Sequence, residues 1–534
     1  MKNIVAILGA ATCLAACANM GSGNSDAPAE PGGANVAFQE PIDFIPAALG
    51  SYEWKITTDN QQAQAYFKQG MQLRYAYNVD EAARSMTEAR RLEPECAMCY
   101  WGEAFALGSF LNGVMSAEKG PYAHTAIEKA VALTGSVSEV ERDLIMAARV
   151  RYPAAWDPED RRPVDEAFAA EMAKVYEKYP DNHDVAVVYA VSLFMLEERR
   201  GYRDLADPDL IRLHGVLTGV LDEDITHPGA CHLYIHATES SQNPGLALEC
   251  ADYLGAAVPV ASHIQHMPSH TWNEVGLWGR SVRANTAARK SDLKALENQG
   301  FSYADWHNLH MLLFAASYDG QGAAATQAGK DYRKVTDNAM YELLTLVRFG
   351  RFDEVVEKDN RPEDEVGAAL WDFAYGYASL KEGDMRTAKS MRDKTLAFAA
   401  TTDMKFRFHP AGRVVGTVAH ILEGEILWAE GDLTGAIVAF EKAVEVEDSM
   451  DYDEPEPLPF AARHWLGAAL MDAGHPADAE KEYRVELTDH PHDVWSLHGL
   501  KAALAAQSKT DPEVTADFDM STARMDVWIT ASKF

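Results

Sequence analysis

The chain has 534 residues, with 48 Lys and Arg against 81 Asp and Glu, for a formal net charge of −33. One hydrophobic core stops growing at about 250–300 residues, so this length implies several domains or a repeat array. The acidity speaks against nucleic acid, whose phosphates need basic patches, and a hydrophobic content of 47% is that of a folded protein rather than a membrane-embedded one.

The N-terminus reads as a processing segment. MKN is followed by IVAILGAATCLAA, an apolar run too short to span a bilayer as a mature helix and ending in small residues, as signal peptides do. Leu14-Ala15-Ala16-Cys17 resembles the bacterial lipobox, in which the cysteine is lipidated and becomes the first residue. Residues 1–17 are therefore assigned as a lipoprotein signal peptide, with lipid at Cys17 as the membrane anchor. Ala18 rather than Asp follows the cysteine. By analogy with Gram-negative lipoproteins, this points to the outer membrane, facing the periplasm. Residues 18–50 begin with a Gly-, Ser-, Ala-, Asn- and Pro-rich stretch, which reads as a flexible tether.

Helical repeats follow, predicted over 51–204. In AYFKQGMQLRYAYNVDEAARSMTEARRLEP, Tyr66, Gly70, Ala82, Ala89 and Pro94 fall at positions of the 34-residue tetratricopeptide (TPR) pattern, with Met86 in place of an aromatic residue. The small residues let two antiparallel helices approach, and the large one fills the space between repeats. Cys96-Ala-Met-Cys99 has CxxC spacing without the histidine of a haem attachment site, since Tyr100 follows. A disulfide, a redox pair and two buried thiols all remain open for it.

A histidine-rich helical segment is predicted over 205–320. Eight of the 18 histidines lie between 227 and 310, where an even spread would put about three. In HPGACHLYIHATE, Pro228 suits the first turn of a helix. His232, His236 and Glu239 then share one helix face at i, i+4 and i+7. Imidazoles four apart can grip one metal ion. Leu233 stands where a zinc protease has its glutamate, so that motif is absent. His227 reads as a turn or cap residue. In SHIQHMPSH, Pro268 predicts an irregular turn for His263 and His266, with His270 in a helix that begins at the proline. His307 and His310 form an i, i+3 pair. In a solenoid, neighbours in sequence are neighbours in space, so the three segments are predicted to converge on a concave wall. His232, His236, Glu239, His263, His266, His270, His307 and His310 are the candidate metal ligands. Such a set suits zinc, copper, iron or nickel. Met267 and Met311 would suit copper(I), although such methionines and Trp272, Trp278 and Trp306 also suit core packing.

The C-terminal repeats are predicted over 321–505. Gly424, Ala436, Phe440 and Ala443 repeat the spacing of Gly70, Ala82, Met86 and Ala89, and Gly467, Ala479, Tyr483 and Pro491 give a third match. Weaker ones are Ser269, Ser281, Asn285 and Ala288, and Gly376 with Ala388. The acidic stretch around Glu445, Glu447, Asp448 and Asp451, running into YDEPEPLP at 452–459, reads as a solvated loop. Residues 506–534 read as a cap. The fold class is thus all-α, a TPR-like solenoid of antiparallel helix pairs with no predicted sheet.

CAMCYWGEAFALG, HPGACHLYIHATES, SHIQHMPSHTWNEVGLW and LGAALMDAGHPADAEKEYRVELTDHPHDVWSLHGL together resemble a bacterial family of TPR-containing lipoproteins. The resemblance spans essentially the whole mature chain. It implies the fold and that the histidine segments belong together, and no reaction.

Two functions compete. One is an envelope lipoprotein whose solenoid carries a transition-metal site, for handling the metal or for metal-dependent hydrolysis or oxidation. The other is an interaction scaffold that binds a protein or peptide in its groove, the histidines only packing. A third, a solute or peptide binder without metal, would line a pocket with His and Trp. Neither a GxSxG elbow nor a GxxxxGK[ST] phosphate loop occurs, so no nucleophile is assigned and no substrate is named.

Overall fold

The computed structural model describes residues 38–198 and 201–534. The signal peptide, Cys17 and most of the tether lie outside the described residues. Helix follows helix along the rest, and most sequential neighbours pack as antiparallel pairs: an all-α, TPR-like solenoid. Among the described residues, no helix is long and apolar enough to cross a membrane.

The repeat pattern works through close approach. A Cβ placed on Gly70 would lie 2.6 Å from Met86 Cε, and one on Gly102 2.5 Å from Met86 Sδ. Met86 is therefore a wedge seated between two glycines, one in its own repeat and one in the next. Tyr483 plays the same part between Gly467 and Gly499, whose added Cβ atoms would come 2.4 and 2.2 Å from its ring. Phe440 does so against Gly424. Helix starts are capped by side chains, among them Asn60, Asn182, Asp364, Asp432 and Asp493, each accepting from backbone N–H groups of the first turn.

The buried apolar side chains form two clusters, one running from Ala48 to Phe301 and the other from Trp278 to Leu504. The two overlap in sequence only across the histidine-rich segment. Pro228–Thr238 is buried on every face, as a central helix must be, and so its imidazoles have to find partners inside the protein. A disulfide from Cys231 to Cys250 ties it to Leu248–Leu254. Cys96 and Cys99 form a second disulfide at the start of Ala97–Leu107.

Three sequence expectations are corrected. His263 and His266 sit in a short helix, Ser262–His266, which runs directly into Pro268–Glu274: the proline occupies the first turn of the second helix, where its missing N–H costs nothing. A two-stranded ribbon, Lys405–Phe406 with His409–Pro410, interrupts the helices. The acidic loop is solvated only in its first half. Glu445, Asp448 and Asp451 are exposed, but Tyr452, Asp453, Glu454 and Leu458 are buried. Arg407, on the ribbon's turn, explains the difference. Its guanidinium pairs with both carboxylate oxygens of Asp453, at 2.6 and 2.7 Å, and donates to the Glu454 carbonyl at 2.9 Å. The charge is neutralised inside, and Glu454 is carried inward with it.

Candidate metal centre

His232, His236 and Glu239 come from the Pro228–Thr238 helix and the residue that caps it. His263, His266 and His270 come from the two short helices that follow, and His307 from Asp305–Tyr318. They converge as expected, but in the interior where the two apolar clusters meet rather than on an open wall. His232, His236, Glu239, His263, His266 and His270 are each at most 2% exposed, and His307 is half-buried at the edge. Ring centroids of neighbouring imidazoles lie 4.7 to 5.7 Å apart. Glu454, unpredicted, completes the group from the acidic loop.

The hydrogen bonds assign the tautomers. Nδ1 of His232 lies 2.5 Å from the carbonyl of Tyr75, the last residue of Gln61–Tyr75. Helix ends leave such carbonyls without a donor, and a carbonyl only accepts, so Nδ1 carries the hydrogen. Nδ1 of His236 donates to Glu239 Oε1 at 2.8 Å. Nδ1 of His270 donates to Glu239 Oε2 at 2.6 Å and lies 3.0 Å from Glu454 Oε2. Nδ1 of His266 lies 3.3 Å from Asn285 Oδ1. The Asn285 amide nitrogen is committed to Ser281 O, so its oxygen faces the ring as acceptor. Asn285 stands at the repeat position that Met86, Phe440 and Tyr483 fill elsewhere. Here the apolar wedge is exchanged for a group that orients a histidine.

Four imidazoles are thus held at Nδ1 by an outer acceptor, the arrangement that fixes metal-binding histidines. The nitrogens turned inward meet one another. Nε2 of His232 is 3.2 Å from Nε2 of His263, and Nε2 of His270 is 3.0 Å from Nε2 of His266. Tyr77, whose backbone is left-handed at φ 60°, lays its ring on His232 and His263, with centroids 4.2 and 5.0 Å away. Burial, reinforced by the neighbouring histidines, keeps His232, His263, His266 and His307 well below the usual imidazole range, hence neutral and able to ligate. Burial also works against a charge on His270, but Glu239 and Glu454 outweigh it and lift the group to about 9. Three sets of donors lie within 4.8 Å of one another: His232, His236 and His263; His266, His270 and His307; and His236, Glu239, His270 and Glu454.

His310 does not join them. Its Nδ1 accepts from Arg407 at 2.8 Å, and its ring packs on Tyr341 at 4.3 Å. His227 caps Pro228–Thr238, its Nδ1 accepting from the Ala230 N–H at 3.3 Å. Met267, Met311 and Trp278 are core residues, while Trp272 and Trp306 are half-buried. A cavity of about 30 Å³ lies beside His270 and Glu454, lined further by Glu274, Glu456 and His490. Another of about 20 Å³ touches His232, Tyr77 and Phe110. Each has room for a molecule the size of water.

No protein-family model matches the chain, and no curated protein matches it. Among solved structures, human IFIT1 as a dimer with m7Gppp-AAAA overlaps with a TM-score of 0.31 at 14% identity, over 88% of this chain and 91% of that one. The Cut9–Hcn1 hetero-tetramer of the APC/C gives 0.28 at 13%, over 86% and 76%. The P58(IPK) TPR domain gives 0.23 at 10%, over 84% and 99%. Overlap this low transfers no ligand and no partner to this chain.

Proposed function

We propose that this protein is a lipid-anchored envelope protein whose helical solenoid carries a buried transition-metal centre, used to handle the metal or to drive a metal-dependent hydrolysis or oxidation. One observation carries the reading. Six imidazoles are packed together, four of them fixed at Nδ1 by outer acceptors, with inner nitrogens meeting at 3.0 and 3.2 Å. A core that needed only apolar filling would not collect them. Each buried polar group left unsatisfied costs about 1–3 kcal/mol. The donor set suits zinc, copper, iron or nickel. The two disulfides fit an oxidising compartment, in keeping with an exported chain. The lipobox-like Leu14-Ala15-Ala16-Cys17 is the basis for the anchor, and Ala18 after it for the outer membrane.

Elemental analysis of the full chain, purified without a histidine tag or chelator, tests this. Near-stoichiometric zinc, copper or iron, lost when His232 and His236 become alanine, is the expected result. A metal-free protein whose melting temperature no added metal raises would overturn it. The competing reading is an interaction scaffold, favoured by the repeat fold and by apolar side chains left on the surface, Trp528 at 92% and Leu296 at 82% exposure. It predicts a protein or peptide partner whose binding survives the histidine substitutions.

A further inference from the structure

We infer that the centre holds two metal ions, each on its own imidazole triad: His232, His236 and His263 for one, His266, His270 and His307 for the other. The inference rests on the metal reading above and adds stoichiometry, ligand partition and metal class.

Donor number is the first argument. Six imidazoles and two carboxylates exceed what one transition-metal ion takes, which is four ligands in a closed tetrahedral site and about six in an octahedral one. Their partition is the second. The two triads share no residue, and each has its donor atoms within 4.8 Å of one another. The remaining set takes His236 from one triad and His270 from the other, and joins them through Glu239 and Glu454. Glu239 accepts from Nδ1 of both His236 and His270, so one carboxylate orients one ligand of each triad.

Facing nitrogens give the third argument. Nδ1 of His266 is spent on Asn285 and Nδ1 of His270 on Glu239, so both rings turn Nε2 inward, and these lie 3.0 Å apart. In the metal-free protein a ring proton bridges such a pair, and a metal cation bound there would take its place. His232, with Nδ1 spent on the Tyr75 carbonyl, turns Nε2 inward in the same way, 3.2 Å from Nε2 of His263. His263 Nδ1 has no hydrogen-bond partner among the described residues. The two pairs fall one in each triad, so each triad has its own pair of inward nitrogens on which to hold a cation. All six ligands are imidazole nitrogens, so copper and zinc stand ahead of the harder ions.

The test is metal stoichiometry. The full chain is stripped with chelator, reloaded separately with copper(I) under anaerobic conditions and with zinc(II), freed of excess by gel filtration, and analysed for metal per chain. The expected result is two ions in the parent and one in each of His263→Asn and His307→Asn, with none in the double variant. The asparagine variants keep a polar side chain of similar bulk. His263→Gln and His307→Gln repeat the measurement if either fails to match the parent's circular dichroism. One ion in the parent, lost in both single variants, would overturn the pair and leave a mononuclear centre. Two ions retained in either variant would also overturn it, placing the second ion elsewhere. No ion in the parent would remove the pair and the metal reading together.

Discussion

His464 and His490, deep in the C-terminal repeats, are buried like the central histidines and are treated differently. Nε2 of His464 donates to Asp493 at 2.8 Å, and its Nδ1 faces Arg348 at 3.4 Å. His490 has Glu486 2.6 Å from one nitrogen and Glu456 3.5 Å from the other. Burial opposes a charge on His490, yet Glu456 and Glu486 hold it well above the usual imidazole range. Each ring closes its own account with oppositely charged or complementary neighbours. In the central cluster, His232, His266 and His270 each have Nδ1 satisfied and Nε2 turned on a second imidazole. Burial of a histidine therefore says little about function; where its second nitrogen points says a great deal.

The largest effect that separates the two regions should come from Asp493→Ala. Asp493 accepts from His464 and from the N–H groups of Trp495 and Ser496 at the start of Val494–Ala506. Removing a buried carboxylate that accepts several hydrogen bonds costs about 1–3 kcal/mol for each donor left unpaired. Thermal unfolding should show that loss while metal per chain stays as in the parent. A parallel fall in metal would mean that the two regions are not independent.

Acid should expose the same residue. Burial disfavours the Asp493 carboxylate, but His464, Arg348 and Ser496 bring it down to about 2, from 3.8. A carboxyl lowered on folding stabilises the protein above its unfolded value, and that contribution is lost as pH falls through the folded one. Between about pH 4 and 2 the parent should lose about 2 kcal/mol that Asp493→Asn does not. Denaturant unfolding of both across that window would show it as a difference in slope.

Glu239→Gln should act on the other region. It retains an acceptor but loses the charge that orients His236 and His270, so metal affinity should fall about 10- to 100-fold. Competition against a chelator of known strength would measure this. The smallest effect is expected from His310→Asn, because the ring serves Arg407 and Tyr341. Metal per chain should not change, and a loss would return His310 to the ligand set.

The repeats were legible in the sequence because each is a local pattern: Gly70 with Met86, Gly424 with Phe440, and Gly467 with Tyr483 carry their spacing with them. The histidine segments were legible as an enrichment, and Pro228 marked the helix that bears His232 and His236. Glu454 was not. Its inward path depends on Arg407 and Asp453, residues far apart in the chain, and an acidic, proline-rich stretch by itself has the composition of a solvated loop. Asn285 keeps the repeat spacing in the sequence, but that it serves His266 depends on the packing of the two helices. His310 stands apart from the cluster, on Arg407 and Tyr341, because i, i+3 spacing with His307 puts two rings near one face without saying what meets each.

The bond from His232 to the Tyr75 carbonyl has a consequence for how the molecule comes apart. Stacked repeats usually behave as a one-dimensional chain of units, in which an end can fray while the rest stands. Here the first repeat supplies Tyr75 and Tyr77, the middle of the chain supplies the imidazoles, and a loop near the other end supplies Glu454. These segments must be home together before the cluster exists, so peeling off the first helical hairpin should undo a site more than 150 residues away, His232 being 157 positions from Tyr75. The cluster acts as a clasp, making an array that would otherwise melt from its ends open and close as one cooperative unit.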